Sequence, residues 1–152
     1  MLVGEPGCGK SYWTDENAAK LNAVVISTDI ILYEYMERDG ISYNEAFDQF
    51  IGNAGKEMNI RVRRAINEGQ NIIWDQTNLT LMGRARKLKQ FEGKYHKTAV
   101  LFNIDTAVIE RQLKLREAQG GKHIPAFVSK NMRASFVSPS KDEGFDKIIV
   151  VR

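Results

Sequence analysis

The stretch Gly4-Glu5-Pro6-Gly7-Cys8-Gly9-Lys10-Ser11 carries the most chemical information per residue in this chain. It fits G-x-x-x-x-G-K-[ST], the phosphate-binding P-loop pattern, at every fixed position. Gly4, Gly7 and Gly9 allow backbone conformations closed to residues with a Cβ, so successive N–H groups can turn inward around phosphate oxygens. Lys10 places an ammonium on the β- and γ-phosphates, and the Ser11 hydroxyl offers one position to Mg²⁺. A helix opening near Lys10 points its positive end at the same anion. The expected nucleotide contacts are therefore Gly4, Pro6, Gly7, Cys8, Gly9, Lys10, Ser11 and Tyr12.

Phosphoryl transfer asks for few further parts: a metal, a group that positions the nucleophile, and positive charge for the transition state. Asp29 follows a short apolar run and is the candidate base, its carboxylate accepting the proton of an attacking hydroxyl. Its alternative role is to cap the following helix. Asp75 follows a second apolar run and is the candidate second acid, reaching Mg²⁺ directly or through water. Its alternative is a hydrogen-bonded turn with Thr77 and Asn78. Arg111 and Arg116, ahead of a Gly-Gly turn, supply candidate lid charge over about 111–124, or else are solvated helix arginines. Two basic groups, Arg61, Arg63 and Arg64, then Arg84, Arg86, Lys87 and Lys89, offer a path for a nucleic-acid backbone or a merely solvated surface. Neither His96 nor His123 has a partner at metal-ligand spacing.

Positioning these groups requires alternating strands and helices, the mark of an α/β fold with a parallel sheet. Residues 10–22 read as a helix, and Ala23-Val24-Val25-Ile26-Ser27 as a buried parallel strand. A helix over 29–39 stops at Gly40. Ser42-Tyr43-Asn44-Glu45 is a capping-box pattern opening a long helix whose Tyr43, Phe47, Phe50, Ile51, Ala54, Met58, Val62, Ala65 and Ile66 form a core-facing stripe. Gly52 and Gly55 weaken that helix at mid-length and leave a break there open. Asn71–Trp74 is a third strand, 80–92 a basic helix, 98–104 a fourth strand and 106–118 a helix. Pro125 is expected as the first residue of a helix over 125–136, and 147–151 closes the sheet. Gly4, Asp29 and Asp75 all fall at the carboxyl ends of strands, where ligands of such sheets lie.

At 152 residues, 43% hydrophobic and 27% charged, the chain reads as one globular domain over 1–152. Cys8 is its sole cysteine, so no internal disulfide forms. No run approaches a membrane span and the P-loop begins at once, so a cytoplasmic location with no membrane partner is expected. The net charge of +3 permits a polyanionic partner without demanding one.

Taken in order, the P-loop, Ser27-Thr28-Asp29, Trp74-Asp75-Gln76-Thr77-Asn78, Lys122-His123-Ile124-Pro125 and Glu143-Gly144-Phe145-Asp146 give a chain that resembles the kinase domain of polynucleotide 5′-hydroxyl kinases, as carried by phage and eukaryotic nucleic-acid repair enzymes. The resemblance implies a P-loop NTPase fold, a central parallel β-sheet flanked by helices, with a small helical lid. It also implies ATP with Mg²⁺ as donor and Asp29 as general base. Metal would lie at Ser11 and Asp75, and the acceptor at Asp29, Thr28, Thr77 and Asn78. The lid role falls to Arg116 or Arg111, because Gln119 stands where a lid arginine is often found. Leu32 stands where phage-type members often place a substrate arginine.

Three functions are consistent with these residues. The first is transfer of the γ-phosphate to a hydroxyl of a nucleic acid, foremost a polynucleotide 5′-OH. The second keeps the chemistry and changes the acceptor to a nucleoside, another small molecule or a hydroxymethylated base in DNA. The third is a nucleotide-dependent switch or NTPase acting through a partner. No N-K-x-D guanine-reading motif and no ABC-type signature is present.

Overall fold

The computed structural model describes residues 1–152. Five strands alternate with six helices: β1 (Leu2–Val3), α1 (Lys10–Asn17), β2 (Ala23–Ile26), α2 (Thr28–Asp39), α3 (Tyr43–Asn67), β3 (Asn71–Trp74), α4 (Leu81–Leu88), β4 (Thr98–Phe102), α5 (Thr106–Ala118), α6 (Ala126–Ala134) and β5 (Lys147–Val151). All pairings are parallel, as crossover helices require. The ladders form two sets, β2-β3 and β1-β4-β5. They meet at the P-loop, where Gly4 N–H donates to the Thr77 carbonyl at 3.0 Å and Asn78 Nδ2 donates to the Leu2 carbonyl at 2.7 Å. Those bonds set β3 beside β1, so the spatial order is β2-β3-β1-β4-β5. At the amino ends of β3 and β4, where β1 contributes little, a mostly apolar groove of about 500 Å³ opens, lined in part by Ile72, Trp74, Phe91 and Thr98.

Side-chain alternation along the strands divides the core between the two faces of the sheet. Ile26 and Trp74 pack with Ile31 and Leu32 of α2 and with Tyr43, Ala46, Ala54, Met58 and Val62 of α3. Leu2, Ile73, Val100 and Phe102 pack with Ile109 of α5. Burying the α3 stripe explains why that helix runs unbroken through Gly52 and Gly55. Each glycine costs the helix about 1 kcal/mol, and a cooperative helix anchored along one face absorbs that. Its start is fastened by the expected capping box, with Glu45 N–H donating to Ser42 Oγ at 3.3 Å and Ser42 N–H donating to Glu45 Oε2 at 2.8 Å.

Several boundaries differ from the sequence reading. The first helix stops at Asn17 and a turn occupies 18–22, with Asn22 at φ 44°. The basic helix is α4 followed by a 3-10 turn, Lys89–Phe91. Pro125 is the N-cap of α6 with extended ψ, one residue outside the helix. Phe47 and Ile51, expected in the core, are exposed (40% and 37%) because α2 covers a narrower stripe of α3 than the apolar pattern spans.

Candidate active site

A cleft of about 640 Å³ lies at the carboxyl ends of the strands. Its floor is the P-loop. Gly7 and Gly9 hold φ 81° and 94°, which a side chain would strain. Gly4 is needed for a different reason than the sequence reading supposed. Its φ is not positive, but a Cβ there would lie 2.6 Å from Cys8 Sγ and 2.9 Å from Phe102 Cβ. Gly9 is the N-cap of α1, and no side chain caps that helix. The first helical bond runs from Trp13 N–H to the Gly9 carbonyl at 3.0 Å, so the amides of Lys10, Ser11 and Tyr12 are available to an outside anion. Lys10 Nζ donates to the Gly4 and Glu5 carbonyls at 2.9 and 2.7 Å. The Glu5 carboxylate accepts from Arg133 Nε of α6 at 3.0 and 3.2 Å, tying α6 to the loop.

On the opposite wall stands Asp29. Ser27 caps α2, its Oγ accepting from Asp29 N–H at 3.2 Å, so the Asp29 carboxylate is not spent on capping. Tyr43 OH donates to Asp29 Oδ1 at 2.6 Å, and Lys122 Nζ lies 3.2 and 3.3 Å from the two carboxylate oxygens. The same ammonium sits 5.0 Å from the Tyr43 ring centroid. Burial, reinforced by the Asp29 charge, drives the Tyr43 hydroxyl far above its usual range, so it remains a donor at any working pH.

Asp75 completes the wall. Desolvation lifts its carboxyl above the ordinary value, against the pull of Lys10 and with Asp29 adding repulsion. A carboxylate desolvated this way gains from a nearby cation. No three His, Cys, Asp or Glu side chains cluster anywhere in the chain to hold a metal on their own. One carboxylate and the Ser11 hydroxyl, completed by phosphate oxygens, is the donor set that suits Mg²⁺.

Of the residues expected at the site, Pro6, Gly7, Gly9, Lys10, Ser11, Tyr12, Asp29, Asp75, Thr77 and Arg116 line this cleft. Gly4, Cys8, Thr28, Asn78 and Arg111 do not. Arg111 is exposed on α5, so of the two candidate lid arginines only Arg116 lines the cleft. Asn78 is buried at φ 50°, its side chain engaged by the Leu2 carbonyl and by Lys87 Nζ at 2.6 Å. Gln76 accepts from the Trp74 indole (2.9 Å) and Lys87 (2.7 Å) and donates to Thr28 Oγ1 (3.3 Å). The Asp75-Gln76-Thr77-Asn78 turn is thus largely a brace that aims Asp75. Burial pushes the Lys87 ammonium down to about 8.

Glu143 belongs to the scaffold too. It grips Arg84, fully buried, through two bonds of 2.7 and 2.8 Å, and Arg84 Nη1 also donates to the Asn78, Leu79 and Val137 carbonyls. Tyr43, Lys122, Gln76, Arg133 and Arg84 were not singled out for these roles from sequence. Lys122 lay within a recognisable run, Lys122-His123-Ile124-Pro125, but Tyr43 read only as part of an apolar stripe.

Five parallel strands, an uncapped helix behind a glycine-rich loop, and two carboxylates in the same cleft as that loop's lysine define a P-loop nucleotide-binding fold. Residues 1–139 match the AAA domain family, and the chain belongs to it. It is 27% identical to heterogeneous nuclear ribonucleoprotein U-like protein 2 of Mus musculus over 157 residues and to that of Homo sapiens over 156. Each alignment covers 97% of this chain, which spans about a fifth (20%) of the length of those curated relatives. Among solved structures it is similar to one described as a "putative kinase" from Chloroflexus aurantiacus, with TM-score 0.73 and 15% identity over 99% of this chain and 81% of that one. No helix is long and apolar enough to cross a membrane.

Proposed function

We propose that this protein is an ATP-dependent kinase that transfers the γ-phosphate to a hydroxyl of a nucleic acid, foremost a polynucleotide 5′-OH. The observation that carries the reading is that Asp29 shares one cleft with Lys10 and the first turn of α1. An acceptor hydroxyl beside the Asp29 carboxylate would face a phosphate held by the loop amides, the arrangement that in-line transfer needs. Asp29 accepts the hydroxyl proton as the O–P bond forms, and Tyr43 holds the carboxylate in place. Lys10, Arg116 and Lys122 offset the charge that gathers on the transferring group and the leaving bridge oxygen. Ser11 and Asp75 would hold Mg²⁺, which when bound neutralises phosphate charge. The ribonucleoprotein name of the mammalian relatives accords with a nucleic-acid acceptor.

A smaller acceptor is the second reading. Leu32 is fully buried in the core, so no arginine from that position reaches the cleft to grip a polymer phosphate. A labelled γ-phosphate assay over 5′-OH DNA and RNA, hydroxymethylated DNA and free nucleosides separates the two. Transfer to the oligonucleotides supports the leading reading. Transfer only to nucleosides moves the assignment to the second, and turnover with no acceptor at all moves it to an NTPase. Asp29→Asn should abolish transfer while nucleotide affinity stays within about threefold, since the carboxylate acts after binding.

A further inference from the structure

Remote from the cleft, the basic side chains divide into paired and unpaired groups. Arg61 is held by Glu34 and Glu57, Arg64 by Glu68, and Arg84 by Glu143. Lys87 is bound by two amide oxygens. Arg63, Arg86 and Lys94 form no ion pair, and all three face one open groove of about 580 Å³ between the second half of α3 and the end of α4. The amides of Asn59, Asn67 and Gln90 line it with them, and no carboxylate does.

The spacing is ordered. Asn59, Arg63 and Asn67 recur every fourth residue on one face of α3, a step of about 6 Å. Arg86, Gln90 and Lys94 recur at the same interval on the facing segment. Three uncompensated cations repel one another and focus positive potential into the concavity. Because they are spread along two rows and do not converge on one point, they suit an extended polyanion better than a single ion. The interleaved amides, each donor and acceptor, suit sugars and base edges between phosphates.

We propose that this groove binds the phosphodiester backbone of single-stranded nucleic acid. Arg63 lies twenty residues beyond Tyr43 on one continuous helix, about 30 Å along its axis, and Tyr43 touches Asp29. The groove is therefore a second site, on the order of nine stacked nucleotides from the catalytic wall at 3.4 Å each. Binding there stands by itself; its use in holding an acceptor strand rests on the kinase reading above.

Fluorescence anisotropy of a labelled oligonucleotide of about 20 residues, titrated against the intact chain at several salt concentrations, tests the site. The triple change Arg63→Gln, Arg86→Gln, Lys94→Gln should weaken binding at least about tenfold and make the salt slope shallower by about 2, at roughly 0.7 per lost contact. All three side chains are exposed, so a thermal melt should match the parent, and Lys89→Gln, outside the groove lining, should change neither quantity. An unaltered slope in the triple variant overturns the proposal, as does displacement of the oligonucleotide by millimolar inorganic phosphate, which would mark a simple anion site. Transfer assays separate this from the catalytic reading. If no acceptor is phosphorylated but the slope still falls, the groove stands and the kinase assignment fails. If 5′-OH oligonucleotides are phosphorylated while the slope is unchanged, the reverse holds. With both correct, the triple variant raises KM for the long acceptor and leaves a trinucleotide unaffected.

Discussion

Asp29, Tyr43 and Lys122 form one cluster, and each member constrains what the others can do. Tyr43, its hydroxyl pushed up by burial and by the Asp29 charge, orients the carboxylate as a hydrogen-bond donor. Lys122 is different, because its flexible stem allows the ammonium to exchange Asp29 for a phosphate oxygen. Lys122→Met is expected to lower kcat on the order of a hundredfold, with nucleotide Kd nearly unchanged, while Lys122→Arg retains part of the rate; a rate equal to the parent's in both would remove Lys122 from the reaction. Asp75 gives a prediction with a pH signature. Its carboxyl is lifted in the fold, so the folded state binds that proton more tightly than the unfolded chain does. Ionisation therefore costs stability as pH rises through the ordinary carboxylate range and above it. Asp75→Asn should raise Tm by a few degrees at neutral pH, a gain that closes on acidification, while metal-dependent turnover is lost. Scanning calorimetry across the acid range reads the first part directly.

At the level of elements, α4 is fixed chiefly by one buried ion pair. Arg84→Ala strands Glu143 in the interior and frees three carbonyls, which should cost about 3–5 kcal/mol, read as a loss in chemical denaturation; a change under about 1 kcal/mol would show the pair to be incidental. The same element shows what sequence can and cannot disclose. Helix α5 and strand β5 match the sequence bounds: Asp105 caps the first, and a continuous apolar run marks the second. The P-loop and Asp29 were legible because glycine spacing and a polar residue at a strand end are local signals. Arg84 was not, since the partner that turns it from a surface cation into a core strut is 59 positions away. Tyr43 and Lys122 were hidden likewise: their roles come from meeting Asp29 across separations of 14 and 93 residues. Pairing between distant elements leaves no periodic trace.

For the molecule as a whole, nucleotide binding should be coupled to folding, because the cradle exists only when β1, α1 and the sheet are assembled. At about a hundred times its Kd, ATP adds about 2.7 kcal/mol, or several degrees in Tm for a domain of this size. Lys10→Ala should remove most of that shift, and a persistent full shift would place the nucleotide elsewhere. Asp29 and Asp75 ride on the β2–β3 ribbon, whereas the loop amides and Lys10 ride on β1–β4–β5. No run of rungs stitches one ribbon to the other; what crosses the seam is the pair of bonds at Gly4 and Asn78, together with side-chain packing. The gap a phosphate would have to leap is thus a joint between two rafts, and the Gly4 amide is its gauge. Slower deuterium uptake at that one proton on adding nucleotide would register the rafts drawing together.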